Sequence, residues 1–288
     1  MKAFRSEFSL GFNSFSKAHQ LVKQHKVFWL YLLAPVVLNI ILFIFIIIAS
    51  INIGNSISNW FYNLVGLSNA DLTGLSFIKE IIVFVFALLV KLLVVLIYMA
   101  SYKYIILILL APVLALISEK VEEIITGNRF PFTIKQFVSD VLRGMMLAIK
   151  NGFIELLFTL LFISIGFIPI VGFSSPILIF LVSSYYYGFS MIDYYNERKR
   201  LSVKASSQFI WKHKGLALSN GMLFNFLVFG SASIFAFLPF VVSIVLQYVL
   251  MIPIVLLSVA SIYSCIAATI AGLQVDGKLS NKSLYAKN

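Results

Sequence analysis

Residues 27–53 read VFWLYLLAPVVLNIILFIFIIIASINI and contain no charged side chain. A transmembrane helix needs about 20 consecutive apolar residues to cross the roughly 30 Å hydrocarbon core of a bilayer. This stretch exceeds that length, and it also exceeds the apolar core of about 7–15 residues that is typical of a cleaved signal peptide. The sequence therefore predicts an uncleaved first membrane span.

The composition of the whole chain agrees with that prediction. Its 288 residues are 61% hydrophobic and 11% charged, and the mean hydropathy is +1.00. A soluble domain carries roughly 25% charged residues, because its surface must be compatible with water. The composition excludes a soluble enzyme, a disordered chain and a coiled coil, and it predicts an all-α integral membrane protein with several spans.

The charged residues are predominantly basic, with 22 Lys and Arg against 11 Asp and Glu and a net charge of +11. A nucleic-acid-binding protein would gather basic and aromatic residues on a soluble module, and none is present, so nucleic acid is not an expected partner. Basic cytoplasmic loops are expected of any inner-membrane protein. We assign the excess first to topology, and an anionic substrate stays open.

The positions of the basic residues divide the chain, taken as one membrane domain over residues 1–288. Both termini are predicted to be cytoplasmic, because basic segments mark the cytoplasmic side. In chain order the predicted segments are a basic cytoplasmic N-terminus (1–26), a first span (27–53), a second span (81–118) that extends as an amphipathic helix to 126, an amphipathic helix (133–150), a first hairpin (152–192), a basic cytoplasmic segment (193–215), a second hairpin (216–275) and a cytoplasmic tail (276–288).

The two hairpins follow from the basic residues that flank them on both sides. If every basic segment is cytoplasmic, each apolar stretch must enter and leave the membrane by the same face. The two halves of 152–192 have only about 17 residues each, which is marginal for a full crossing. The predicted fold is therefore two long transmembrane helices plus two helical hairpins, and it stays open how deeply the hairpins penetrate the bilayer.

Three blocks of sequence, in this order, resemble the CysZ-type sulfate permeases, which are grouped with the etoposide-induced membrane proteins. The resemblance implies two long spanning helices with two hemi-penetrating helix pairs, a homo-oligomer in the bacterial inner (cytoplasmic) membrane, and sulfate uptake for sulfur assimilation. The blocks are Ser9–Phe15 followed by Ala34-Pro35 and Asn39, residues 111–122 closing at Thr126-Gly127, and Asp193-Tyr194-Tyr195 followed by Asn220-Gly221.

The family's Gly-Leu-Arg type turn, which precedes the first span and is thought to bind the anion, matches positions 24–27 here. These positions contain neither glycine nor arginine, and a lysine lacks the planar fork that arginine offers to an oxyanion. Free backbone N–H groups at a helix start still bind anions. The candidate anion-binding residues are therefore Lys23, His25 and Lys26, and the alternative is that they only flank a first span.

Lys91 is the fourth candidate anion-binding residue. If the outer interface lies near Lys79 and Glu80, Lys91 is about 16 Å inside the bilayer at 1.5 Å per residue. An ammonium group there costs at least about 2.5–3.5 kcal/mol, which favours a side chain that faces a pore or another subunit. The alternative is a shifted register in which the lysine extends to the interface.

Two further expectations concern packing. We expect Glu155 to pair with Lys150 or Arg143. The small residues Ala260, Ser264, Ala268 and Gly272 recur every four residues and should allow a close approach between helices.

Motifs of catalysis and cofactor binding are missing from the sequence. It has no phosphate-binding glycine loop, no HExxH, no CxxC and no nucleophile elbow, and its one cysteine, Cys265, permits no intrachain disulfide. We expect no enzyme, no cofactor and no metal. Two functions remain, namely a permease or channel for a small oxyanion, sulfate by resemblance, and a non-transporting protein that organises or shapes the bilayer.

Overall fold

The computed structural model describes residues 2–64, 76–128, 133–236 and 242–279. Across these ranges the regular structure is helical, which confirms the all-α fold class. The elements are α1 (Lys2–Gln24), α2 (Val27–Leu64), α3 (Ser76–Thr126), α4 (Ile134–Gly166), a short 3-10 turn (Val171–Ser174), α5 (Ser175–Arg198), α6 (Val203–Lys212), α7 (Lys214–Ala236) and α8 (Val242–Val275).

The described residues include four segments that are long and apolar enough to cross a membrane. They are Val27–Phe61, Tyr104–Thr126, Ile134–Gly166 and Val171–Arg198. A shorter apolar helix, Val259–Val275, belongs to the stretch predicted as the second hairpin. These helices confirm the prediction of an integral membrane protein.

Several helix boundaries follow local signals in the sequence. α2 begins at Val27, the first residue of the uncharged stretch, and continues past Ile53 to Leu64. α3 ends at Thr126, where Gly127 adopts a φ of 77° and donates a hydrogen bond from its N–H to the carbonyl of Glu123 at 2.9 Å. A glycine with positive φ is the common way to end a helix, because it lacks the Cβ that disfavours this conformation.

The first hairpin is built from α4 and α5, which pack against each other. The amphipathic helix predicted at 133–150 and the first arm of the hairpin form one continuous helix, because Asn151 and Gly152 do not interrupt α4. One glycine inside a helix costs only about 1 kcal/mol relative to alanine. The break comes instead at Pro169, which lies between the end of α4 and the 3-10 turn.

The chain divides into two compact units, Met1–Val36 with Ile106–Asn288, and Val37–Ile105. In the second unit the rings of Phe61 in α2 and Phe86 in α3 stack with their centroids 4.1 Å apart. In the first unit, α1 packs against α7 and α8, and Glu7 Oε1 lies 2.8 Å from His213 Nδ1. The segment predicted only as a basic N-terminus is thus a helix that contributes to the core.

The core of the first unit depends on a close crossing between α5 and α7. A Cβ added to Gly221 would lie 1.7 Å from the carbonyl oxygen of Ser184, and one added to Gly188 would lie 1.9 Å from that of Ala217. Each glycine therefore packs directly on the backbone of the opposite helix. Both helices present small residues four apart, the arrangement that lets helices approach closely in membranes.

The small-residue stripe of α8 has the packing role that the sequence predicted. Ala260, Ser264 and Ala268 are all buried, and Gly272 lies against the ring of Tyr195 from α5. Asn220 of α7 donates a hydrogen bond to the carbonyl of Ser264 at 2.9 Å. The stripe thus brings α8 close to both α5 and α7.

We expect Gly221→Ala to destabilise the protein by about 1–3 kcal/mol, because the added methyl group requires the two backbones to separate. The measurement is the thermal unfolding midpoint of the purified protein in detergent. Gly166→Ala is the matched control, since its Cβ would lie 3.5 Å from Ser175 Oγ in ordinary contact. Equal midpoints for the two variants would contradict the close crossing.

Candidate functional site

The predicted anion-binding residues lie at the connection between α1 and α2, which we call the junction (Lys23 to Val27). Lys23 is in the last turn of α1, and His25 and Lys26 form the link to α2. The side chains of Lys23 and Lys26 are exposed and that of His25 is half-buried. Two cationic groups therefore stand in water beside the start of a long apolar helix.

The backbone of the junction is a tight turn. The N–H of His25 donates to the carbonyl of Leu21, and the N–H groups of Phe28 and Trp29 donate to the carbonyls of His25 and Lys26, each at 3.1 Å. Phe28 and Trp29 therefore use their N–H groups within the turn, but the dipole of a helix still adds positive potential at its N-terminus. The start of α2 is thus suited to a negative ligand.

Lys91, the fourth predicted residue, lies within α3. Its side chain is outside the described part of the structure. Its predicted role is neither supported nor opposed by any contact.

A second polar cluster, which sequence reasoning missed, joins α4, α5 and α6, and we call it the basal network (Arg143, Asp193, Asn196 and Ser206). The guanidinium group of Arg143 donates two hydrogen bonds to the carboxylate of Asp193, one from Nη2 to Oδ1 at 2.9 Å and one from Nε to Oδ2 at 3.2 Å. Ser206 also donates to Asp193, and Asn196 Nδ2 donates to Ser206 Oγ at 2.9 Å. The carboxylate of Asp193 is 3% exposed and fully enclosed by these donors.

The Arg143–Asp193 pair corrects part of the prediction for Glu155. Arg143 lies twelve residues before Glu155 on the same helix, a separation of about 18 Å at 1.5 Å per residue. That distance is too long for an ion pair, so the proposed Glu155–Arg143 pair is wrong. In the sequence, Asp193 is the first charged residue after the predicted first hairpin. That position was the available signal that Asp193 could be the partner of Arg143.

A second largely buried arginine side chain, 8% exposed, is held in a similar way. Arg198 Nη1 lies 3.3 Å from Glu119 Oε2, and Arg198 Nη2 donates to the carbonyl of Ala115 at 2.7 Å. These contacts tie the end of α5 to the last turns of α3. Since Arg143 and Arg198 are both paired with carboxylates, an incoming oxyanion would have to displace one of them. Among the described residues, the cations that are accessible to an anion are therefore mostly exposed lysines, together with Arg5 and Arg200.

A third ion pair connects the end of α5 to the residue that follows α8. Asp276 Oδ2 accepts hydrogen bonds from Lys199 Nζ at 2.7 Å and from Tyr195 Oη at 2.5 Å. Burial opposes ionisation of this carboxyl, but the two hydrogen bonds and the Lys199 charge outweigh it and hold the pKa of Asp276 below its usual value. Asp276 thus favours the folded state when it is ionised.

The described residues offer no candidate for a metal centre. No group of three or more His, Cys, Asp or Glu side chains in these ranges is arranged to hold a metal ion. Cys265 is buried, and its thiol donates to the carbonyl of Leu114 at 3.4 Å. It packs as a small apolar side chain, as free cysteines commonly do.

A comparison with protein families gives one match, to the family described as sulfate transporter CysZ/etoposide-induced protein 2.4. The match covers residues 14–259, which is more than four-fifths of the chain. It includes the junction and all residues of the basal network. No curated protein matches the sequence significantly.

We expect Arg143→Gln to destabilise the protein by about 3–5 kcal/mol, because it leaves the buried Asp193 carboxylate without its cationic partner. Chemical denaturation in detergent would measure the change. Lys120→Met is the matched control, since Lys120 and Glu123 form a surface pair at 2.7 Å that should contribute less than about 1 kcal/mol. If the Arg143 variant were as stable as this control, the Arg143–Asp193 pair would not contribute to the stability of the fold.

The lowered pKa of Asp276 predicts a loss of stability in acid. The carboxylate stabilises the fold above its ordinary pKa of about 3.9, and the contribution disappears as the pH falls through the lowered value. The stability difference between the unmodified protein and Asp276→Asn should therefore be largest above about pH 5 and should vanish in acid. In a Lys199→Met background the same comparison should show a smaller difference, and an unchanged difference would refute the assigned cause.

Proposed function

Since the chain belongs to the family of sulfate transporter CysZ and etoposide-induced protein 2.4, we propose that it is a permease or channel for a small inorganic oxyanion. Sulfate is the first candidate substrate. The observation that carries this proposal is the extent of the family match, which includes the junction, the basal network and most of the helices. We further propose that the protein resides in the bacterial inner membrane.

The junction is the proposed point of anion capture. An oxyanion there would lie near the ammonium groups of Lys23 and Lys26, in the positive potential at the start of α2. The imidazole of His25 adds a further hydrogen-bond donor in the same turn. Because both lysines are exposed, they are available without breaking an ion pair, unlike the two buried arginines.

Passive conduction is favoured over coupled transport. The sequence contains no phosphate-binding glycine loop, so nucleotide hydrolysis by this chain alone is not expected. Residues 27–53 and 216–275 contain no charged side chain, and residues 152–192 contain only Glu155. Carriers that couple transport to protons use intramembrane carboxylates, and this sequence supplies few.

The tip of the α4–α5 hairpin supports partial insertion into the membrane. Phe167, Ile170 and Phe173 are 83%, 85% and 86% exposed. The tip satisfies part of its own backbone, since the N–H groups of Val171 and Gly172 donate to the carbonyls of Pro169 and Ile168, both at 2.8 Å. Non-helical backbone at membrane depth is tolerated only where protein surrounds it or where it lines a water-filled cavity, so partial insertion of this tip also requires cover from a neighbouring copy of the chain.

The length of the hairpin agrees with an end inside the bilayer. From Gly152 to Gly166 the first arm rises about 22 Å, which is less than the roughly 30 Å of the hydrocarbon core. With Arg143 of the basal network at the cytoplasmic surface, about 34 Å from Gly166 along α4, the apolar tip would stop short of the opposite surface of a bilayer that is about 40–45 Å thick with its headgroups. We therefore propose that this hairpin penetrates the membrane only partly.

An anion path through such a structure is proposed to require a homo-oligomer. The described faces of α2 and α3 expose large apolar side chains, including Leu30, Phe45 and Phe84. These faces must be covered by lipid or by another copy of the chain. Several copies around an axis would enclose a path for the anion between them.

The exposed hairpin tip also favours the second candidate function. A hairpin that fills one leaflet more than the other would change the packing of lipids around it, as interfacial amphipathic helices do. On this hypothesis the protein organises or shapes the bilayer and conducts no anion. Transport measurements distinguish the two functions.

We expect purified protein in sealed liposomes to give saturable uptake of labelled sulfate above that of protein-free vesicles. Lys23→Ala/Lys26→Ala should lower the uptake on the order of tenfold, because each lysine beside an anion contributes about 1 kcal/mol at a membrane surface. Lys135→Ala, which removes an exposed lysine at the start of α4, is the control and should transport normally. Absence of flux in the unmodified protein would favour the bilayer-shaping function, and normal flux in the double variant would remove the junction as the capture site.

A further inference from the structure

A groove of about 670 Å³ opens between α4, α5 and α6, away from the junction. Three lysines line it, Lys150 from α4 and Lys204 and Lys212 from α6, and all three are exposed. Tyr185 and Trp211 supply an aromatic wall. None of the lining residues is acidic. Glu155 directly follows the lining residue Ile154 and lies close enough to the lining residue Tyr186 to interact with it electrostatically, so the three lysines outnumber one nearby carboxylate.

The orientation of α6 is fixed by its opposite face. Ser206 and Ile210 are fully buried, and Ser206 is hydrogen-bonded into the basal network. The side chain of Ser202 caps the helix by accepting a hydrogen bond from the N–H of Ala205 at 3.2 Å. Residues three, four and seven apart share a helix face, so the face with Lys204 and Trp211 is turned to the groove.

The aromatic wall has the chemistry of a membrane interface. Trp211 is 67% exposed, and its ring meets the edge of Tyr185 at 6.5 Å between centroids. On its other side the ammonium group of Lys214 lies 5.4 Å from the centre of the indole ring. Exposed tryptophan and tyrosine beside lysine are typical of the headgroup level of a bilayer.

The depth of the groove agrees with that level. Lys150 lies sixteen residues before Gly166 on α4, about 24 Å from the hairpin tip at 1.5 Å per residue. If the tip ends inside the hydrocarbon, as proposed above, Lys150 lies near the boundary between hydrocarbon and headgroups. An occupant of the groove would therefore meet cations at the headgroup level and apolar surface below it.

We propose that this groove binds an anionic phospholipid, with its phosphate among the three lysines and its acyl chains along the aromatic wall and the apolar face of the α4–α5 hairpin. Because the lining is cationic, charge complementarity favours a negatively charged headgroup. A volume of this size is in the usual range for small-molecule sites. The proposal rests on the membrane placement proposed above and does not depend on transport.

The test uses Trp211 as the reporter in the full-length protein. Trp29→Phe/Trp60→Phe leaves Trp211 as the sole tryptophan of the chain. The protein is reconstituted in phosphatidylcholine with increasing fractions of dibrominated phosphatidylglycerol, and in a parallel series with dibrominated phosphatidylcholine. Bromine quenches tryptophan fluorescence at short range, so the ratio of the two quenching constants measures selectivity at the groove.

We expect phosphatidylglycerol to be preferred on the order of tenfold or more, since each lysine near an anionic headgroup contributes roughly a fivefold preference. Lys204→Gln/Lys212→Gln should abolish most of this preference. Lys120→Gln/Lys135→Gln, which changes the net charge equally at a distance from the groove, should retain it. If the groove double variant does not reconstitute, the two single variants should each lower the preference several-fold.

Three results would overturn the proposal. Equal quenching by the two lipids would show that the groove has no selectivity. A preference reduced equally by the groove and control variants would show only general attraction to a basic protein. Displacement of brominated phosphatidylglycerol by millimolar inorganic sulfate or phosphate, at an ionic strength held constant with sodium chloride, would identify a site for free oxyanions.

Discussion

The arrangement of the first unit depends on the contact between the backbones of α5 and α7. In a membrane the lipid is as apolar as the side chains, so helices gain little from hydrophobic burial and associate through close packing instead. Gly188 and Gly221 permit such packing, each against a carbonyl of the other helix. α5 also packs on α4, α6 and α8, and Asp193 on α5 sets the position of Arg143 and Ser206.

The sequence predicted the features that depend on local composition. The uncharged run predicted the start of α2 at Val27, and the predicted end at residue 126 is where Gly127 terminates α3. The features that it missed depend on contacts between distant residues. Arg143 and Asp193 are fifty residues apart, and α1 becomes part of the core through helices that follow it by two hundred residues. The residue pattern within one segment does not indicate which distant residues its side chains will contact.

Net positive charge in this protein has two physical roles that a count of basic residues does not separate. Arg143 and Arg198 are withdrawn from water and paired with carboxylates, which suits the bidentate geometry of the guanidinium group. The exposed cations are mostly lysines, at the junction and around the α6 groove. Lysine is a strongly hydrated point charge on a flexible stem and lacks the planar fork of arginine, so the exposed lysines are suited to contacts with an anion that do not require a fixed geometry.

The α4–α5 hairpin combines a charged base with an apolar tip, and this polarity determines its orientation in a bilayer. Moving Arg143 and Asp193 into hydrocarbon would cost several kcal/mol even as a pair, whereas Phe167, Ile170 and Phe173 gain by leaving water. This asymmetry supports the proposal that the hairpin enters tip first from the side on which its base lies. The tip pairs part of its own backbone and carries no charge. It therefore has no charged group that must reach water at the opposite surface of the bilayer. On the same proposed placement, the lysines of the α6 groove would lie at the surface from which the hairpin enters.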